Sequence, residues 1–325
     1  MFQLRQSFFL FLTATIWGSG FVAQSIGMDH VTPFTYTFFR TLIGAIVLLP
    51  IVYWMKQKAT KEVPQSTQGA AQHYSRSDLM KGSIVCGIFL VGGESFQQFG
   101  LVTTDAGKAG FLTSMYIVFV PIVGLFLGKK LNASIVIGVA LSLAGLYLLC
   151  IKESLSIESG DLLILICAVV FTFHILAIDH YIKKCDAVYL SCGQFFAASL
   201  IALILMLVVD YDVFSWEDVW AASLALLWSG IMSNGVAYTL QVVGQRGMHP
   251  TIATLILSLE SVMAVVFGVL ILNESLTTKE AIGCALILAA VIIAQLNFKT
   301  LWALVAKKNN PRAPQNFALK QGTES

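Results

Sequence analysis

Ten predominantly apolar stretches, each long enough to cross a bilayer, follow one another with little between them: 6–27, 32–55, 82–102, 106–128, 132–151, 161–182, 187–209, 218–243, 250–273 and 278–298. A spanning helix takes ~20 residues. A backbone in hydrocarbon has no water to bond, so stretches of this length must satisfy their polar groups internally, as helices. This constraint comes before any motif and predicts an all-α integral membrane protein with ten transmembrane helices. Composition agrees, with 57% hydrophobic and 12% charged residues in 325, where soluble domains carry about a quarter charged residues. Arg5 ahead of the first apolar run has the look of a signal peptide, but the run continues through Trp17–Gln24 with no cleavage site and reads as helix one. The one long polar link, 56–81, reads as a loop, and the tail 299–325 is polar after a short apolar patch holding Trp302.

The chain repeats itself at half its length. A step of 145 carries Leu131 to Leu276, Gly138 to Gly283, Ala140 to Ala285, Leu141 to Leu286, Leu143 to Leu288 and Ala144 to Ala289. A step of 144 carries Gln97 to Gln241, Gly100 to Gly244, Ala109 to Ala253 and Ser114 to Ser258. A period this long is a half-molecule duplication. The expected units are 1–151 and 159–298, each with five helices, followed by the tail 299–325. Five is odd, so the second unit starts from the opposite side of the membrane. The two are therefore inverted repeats about an axis in the membrane plane, a plan of secondary transporters that puts the solute site near the midplane between them.

Basic residues orient the chain. With the N-terminus inside, the inside segments hold 16 of the 20 Lys and Arg, the outside segments hold Lys108, Lys152 and Lys279, and Arg40 falls within a helix. That bias predicts both termini in the cytoplasm. Trp54, Trp216, Trp220 and Trp302 fall near window ends, as amphipathic rings at an interface do.

Four segments carry a family resemblance: WGSGFVA from Trp17, FFRTLIGAIVLLP around Arg40, KAGFLTSMYIVFVPIVGLFLG from Lys108 and LESVMAVVFGVLILNESL from Leu259. Together with the helix count and the inverted repeat, they resemble the ten-helix EamA-type branch of the drug/metabolite transporter superfamily over about residues 5 to 298. The resemblance implies a multi-pass permease of a bacterial inner membrane, exporting amino acids, related metabolites or toxic compounds. Many members carry Pro after the Glu of helix nine, where this chain has Ser261.

An ionisable residue deep in a bilayer needs a reason to be there. Arg40 and Glu94 lie at similar depth on helices two and three, with Gln97 and Gln98 on the face of Glu94. They read either as a fixed ion pair between helices or as groups engaging the carboxylate and amine of a zwitterion. Steps of about 154 and 144 match Arg40 to Gln194, Trp17 to Phe171 and Glu94 to Tyr238. The second half then offers Gln194, Asn234, Tyr238 and Gln241, so the site should be charged toward the outside and merely polar toward the inside. Asn234, Tyr238, Gln241 and Gln245 fall on one face at helical spacing, for solute or for interhelical bonding. Glu260, near the middle of helix nine, is a candidate for amine binding or proton coupling, as against a carboxyl tied to a neighbouring helix. Glu94 and His174 are further proton-coupling candidates, and a satisfied core histidine is the plainer reading of His174. Trp17, Phe21 and Tyr116 offer rings to line a cavity for an apolar side chain, or ordinary packing. Lys108 reads as solvated or capping, and Asp179 and His180 as interfacial. The six cysteines read as small core residues. Gly124 and Gly128 form a GxxxG, and small residues on helices five and ten predict close packing that braces the bundle.

There is no Walker A motif, HExxH, GxSxG or paired acidic motif on a helix. Direct ATP drive, a catalytic centre, a metal, a cofactor and a nucleic-acid partner are not expected. The partners that are expected are a small-molecule substrate, a proton and membrane lipids. A channel-like facilitator or an integral membrane enzyme are the competing classes.

Overall fold

The computed structural model describes residues 2–62, 75–104, 106–150, 158–272 and 277–295. Lys152, Trp302, the tail and most of the polar link fall outside these. The described elements are helical: α1 (Phe2–Met28), α2 (Pro33–Glu62), α3 (Arg76–Leu101), α4 (Ala106–Thr113), α5 (Tyr116–Phe126), α6 (Ala133–Cys150), α7 (Ser159–Tyr181), α8 (Ala187–Val209), α9 (Trp216–Ala221), α10 (Ser223–Leu227), a π-helical segment (Trp228–Tyr238), α11 (Thr239–Gln245), α12 (Pro250–Leu257), α13 (Leu259–Leu272) and α14 (Thr278–Gln295). These make ten apolar spans. Eight are long enough to cross a membrane as read directly, α6 is shorter, and the eighth span is divided. Below, the near end of the bundle is the one where α1 begins.

Three spans depart from simple helices. Windows 106–128 and 250–273 break into α4–α5 and α12–α13. The breaks fall at Ser114 and Ser258, which the 144 step makes equivalent. No proline sits at either break. Each serine N–H still bonds the carbonyl four residues back, Gly110 and Thr254, at 3.1 and 2.9 Å. Window 218–243 becomes α9, α10, the π segment and α11. Asn234 and Tyr238 lie within the π turns, and Gln241 and Gln245 follow in α11; all four side chains are buried. The GxxxG reading of Gly124 and Gly128 is also corrected: α5 ends at Phe126, and Gly128 is a left-handed turn (φ 77°) with open space around it.

The halves form one body by reciprocal contacts. α6 packs along α14, α3 along α7 and α8, and α1 along α11, α12, α13 and the π segment. A Cβ on Gly145 would stand 2.7 Å from the Gly283 carbonyl, and one on Gly138 would stand 3.0 Å from the Ala290 carbonyl. The 145 step converts the first contact into the second, as a pseudo-twofold requires. The same axis passes beside Tyr116 and Glu260, which are 144 apart, equivalent to each other and hydrogen-bonded. The outer face is apolar and exposed, with Leu200, Val208, Leu224 and Ile292 among its residues, and Trp54, Trp216 and Trp220 stand out near span ends. In water such a surface would be a liability; against acyl chains it is the expected one.

Two ion pairs tie α7 to the span formed by α4 and α5. At the far end Lys108 Nζ meets Asp161 Oδ2 at 2.5 Å, and at the near end Lys129 Nζ meets Asp179 Oδ2 at 2.5 Å, with Lys183 at 3.2 Å. Lys108 is thus an ion-pair partner rather than a solvated group, and Asp179 is buried under lysines rather than merely interfacial.

Candidate substrate cavity

A narrow cavity of about 30 Å³ lies between the halves. It is walled by Trp17, Phe21 and Gln24 of α1, Arg40 of α2, Glu94 and Gln97 of α3, Thr113 of α4 and Tyr116 of α5. The second half contributes Phe171, His174 and Ile175 of α7, Ser233 and Tyr238 of the π segment, Gln241 of α11, Leu257 of α12 and Glu260 of α13. Most of the wall comes in equivalent pairs at the steps 154 and 144: Trp17/Phe171, Phe21/Ile175, Glu94/Tyr238, Gln97/Gln241, Thr113/Leu257 and Tyr116/Glu260. Duplication supplied the shape, and divergence made three of the pairs, Glu94/Tyr238, Thr113/Leu257 and Tyr116/Glu260, chemically unlike.

On the first-half side, Arg40 Nε stands 3.1 Å from Glu94 Oε2, both side chains almost wholly enclosed. Arg40 Nη1 donates to Gln24 Oε1 at 2.7 Å and to Gln98 Oε1 at 3.3 Å, and the guanidinium lies 5.8 Å from the centre of the Tyr36 ring. Tyr36 is held in turn by its hydroxyl, 2.6 Å from Ser229 Oγ. Two carboxamide oxygens and a carboxylate thus surround one cation, which is what a charge taken out of water requires. Gln97 Nε2 donates to Thr113 Oγ1 at 3.2 Å.

On the axis, Glu260 Oε1 accepts from Tyr116 Oη at 2.9 Å and from Ser114 Oγ at 3.2 Å. Neither donor is charged, and Glu260 takes part in none of the ion pairs among the described residues. Ser261 follows Glu260 in the first turn of α13. Its hydroxyl lies 3.1 Å from Ser114 Oγ and 3.4 Å from the Gly110 carbonyl, so it ties α13 to α4. Gly18 lets α1 approach: a Cβ there would stand 2.6 Å from the Glu260 carbonyl.

Rings close the remaining wall. Trp17 and Tyr238 meet edge-on with centres 4.6 Å apart, and Trp17 Nε1 donates to the Ser233 carbonyl at 3.3 Å. His174 faces Tyr238 at 5.9 Å, and its Nε2 lies 3.0 Å from Gln194 Oε1. Of the residues singled out from sequence, Trp17, Arg40, Glu94, Gln97, Tyr116, His174, Tyr238, Gln241 and Glu260 share this cavity. Gln194 stands behind His174, and Asn234 lies against Gly44 of α2. Sequence reasoning passed over Gln24 and Gln98 as the acceptors of Arg40, and Ser114 as a donor to Glu260. Each is a polar residue inside an apolar span, which was the available signal. No group of three or more His, Cys, Asp or Glu among the described residues is placed to hold a metal ion.

Comparison with known proteins agrees with this architecture. The model of the EamA-like transporter family matches residues 4–151 and 158–296. An uncharacterized transporter of Archaeoglobus fulgidus is 33% identical over 291 residues, covering 88% of this chain and 84% of its own. The uncharacterized transporter YoaV of Bacillus subtilis is 24% identical, covering 87% and 94%. A solved crystal structure superposes with a TM-score of 0.70 at 19% identity over 91% of this chain and 98% of its own, a likeness of fold. A polar cavity enclosed between inverted five-helix repeats and a family match across both of them lead to one conclusion: the chain is a multi-pass membrane protein of the EamA-like transporter family.

Proposed function

We propose that the protein is a secondary active transporter of a bacterial inner membrane, exporting amino acids, related metabolites or drug-like compounds by alternating access. Both termini lie in the cytoplasm, so the near end of the bundle is the cytoplasmic one. The carrying observation is the Tyr116–Glu260 hydrogen bond of 2.9 Å between equivalent positions of the two halves. A group beside the axis of an inverted pair is met from either side as the halves rock.

Glu260 is the group that takes the substrate amine or a proton. Its partners are hydroxyls, which serve a carboxylate and a carboxylic acid alike. Protonating Glu94 would instead strand Arg40 as a buried cation, and His174 is engaged by Gln194. Arg40 remains the group for a substrate carboxylate, and Trp17, Phe21 and Tyr238 wall the space for the side chain.

Purified protein in liposomes, given a mixture of radiolabelled amino acids, should show saturable counterflow. A proton gradient should drive net flux in the wild type and not in Glu260→Gln, while counterflow in that variant persists. Flux that neither saturates nor exchanges would replace this reading with a channel-like facilitator, and chemical change of the solute would replace it with an enzyme.

A further inference from the structure

Between the cavity and the near end lies a layer of polar side chains that the protein leaves unanswered. His174 Nδ1, Gln194 Nε2, Ser191 Oγ, Gln241 Oε1 and both polar atoms of the Gln245 carboxamide are enclosed and have no hydrogen-bond partner. All five residues are at least nine-tenths buried. They stand on α7, α8 and α11, and α11 packs on both of the others. His174 and Gln241 belong to the cavity wall, whereas Ser191 lies one turn into α8 from the near end and Gln245 is the last residue of α11 there. Interiors rarely keep such groups without partners, so each calls for an explanation, and a cluster of them calls for a common one.

Next to this layer is an apolar seam. Cys86, Ile178, Ile182, Leu190 and Val242 form a buried cluster joining α3, α7, α8 and α11 at the near end. It contains no ion pair and no side-chain hydrogen bond, so it can part without stranding a charge. Within it α3 is held closely to α8: a Cβ on Gly82 would meet Leu190 at 3.0 Å, and one on Gly87 would meet the Gln194 carbonyl at 2.9 Å. α11 is held closely to α1 instead, where a Cβ on Gly244 would meet Leu10 at 2.8 Å, and it meets α7 and α8 more sparsely. The tight α3–α8 pair and the tight α1–α11 pair meet where Val242 of α11 packs on Ile178 and Leu190, and that sparse contact is the joint.

We propose that Ser191, Gln194, His174, Gln241 and Gln245 form a second solute site on the cytoplasmic half of the path, closed in this structure and opened when the Ile178–Leu190–Val242 seam parts. The inference rests on the transporter reading above. The site holds no carboxylate or guanidinium, so its ligand is the neutral hydrogen-bonding face of an amino-acid-sized solute, or water on either side of its passage. The solute would thus meet charge at the central cavity and only dipoles on the inner half.

The test is thiol accessibility. In a chain whose six native cysteines are replaced, Gln245→Cys and Ser191→Cys are each exposed to a membrane-impermeant maleimide in inside-out and right-side-out vesicles. Labelling should run at least about tenfold faster from the cytoplasmic face than from the other, and than at Leu200→Cys on the lipid-facing side of α8. Equal rates from both faces, or labelling no faster than at Leu200→Cys, overturn the proposal. If the cysteine-free chain does not fold, hydrogen exchange of the wild type decides. Amides of 187–194 and 239–245 should then exchange at least about tenfold faster than those of α6, and equal exchange overturns the site. Transport is measured separately, so a failed accessibility test with flux intact removes this site alone.

Discussion

Arg40 and Glu94 illustrate why a buried charge is a commitment. Removing the carboxylate leaves a guanidinium in a nonpolar interior with only two carboxamide oxygens, Gln24 and Gln98, to answer it. Glu94→Gln should therefore cost about 3–5 kcal/mol of stability, and adding Arg40→Gln should recover most of that. Thermal unfolding in detergent of the two single variants and the double variant reads this directly. A double variant no more stable than the singles would show that the pair is not a closed unit. The pair itself was legible in the sequence, since equal depth on neighbouring helices predicted it. The partner of Glu260 was available too: the step that carries Gln97 to Gln241 also carries Tyr116 to Glu260. What no spacing revealed is that equivalent residues touch, because contact depends on how near the axis a helix runs.

Among the elements, the interrupted spans are the part that sequence pattern missed. Hydropathy sees an apolar run, and a break that keeps the run apolar does not register. The breaks at Ser114 and Ser258 coincide with contacts to other helices that no spacing reveals: Ser142 Oγ lies 3.3 Å from Ser258 Oγ, and Ser261 Oγ 3.1 Å from Ser114 Oγ. The break has a consequence for Ser261. It falls in the first turn of α13, where an N–H has no full helical partner, and its own bond, to the Ser258 carbonyl, is 3.2 Å long. Ser261→Pro should cost about 1–2 kcal/mol, mainly through its lost hydroxyl bonds to Ser114 and the Gly110 carbonyl, whereas Val265→Pro, in mid-helix, should cost about 3 kcal/mol or more. Comparing the two melting temperatures checks this. The bracing role given to helices five and ten holds: Gly283→Val would place side-chain atoms against the Gly145 carbonyl, 2.7 Å from the new Cβ. A loss of about 1–3 kcal/mol is expected from such overpacking, read as a lower midpoint in a thermal-unfolding scan.

At the scale of the whole molecule, two lysine–aspartate ties hold the α4–α5 span of the first half to α7 of the second, one at each end. If the halves rock on one another as proposed, the motion would strain one tie as it relieves the opposite one. The near-end Lys129–Asp179 pair is part-exposed, with side-chain exposures of 29% and 9%, so it contributes no more than about 1 kcal/mol. Asp179→Asn should still raise cytoplasmic labelling of Gln245→Cys a few-fold, and Asp161→Asn at the other end should lower it. No change in either variant would mean that the ties merely steady the bundle.

The Tyr116–Glu260 bond joins a position to its own image. Most solute-contacting groups in a two-faced machine must choose a side and be carried across. If the halves turn about their shared axis as proposed, a carboxyl held beside that line has no journey to make: the water reaching it would change while it stays put. Under the proposed cycle its hold on a proton would follow whichever compartment is open to it, so one fixed group would sense the acidity of both sides.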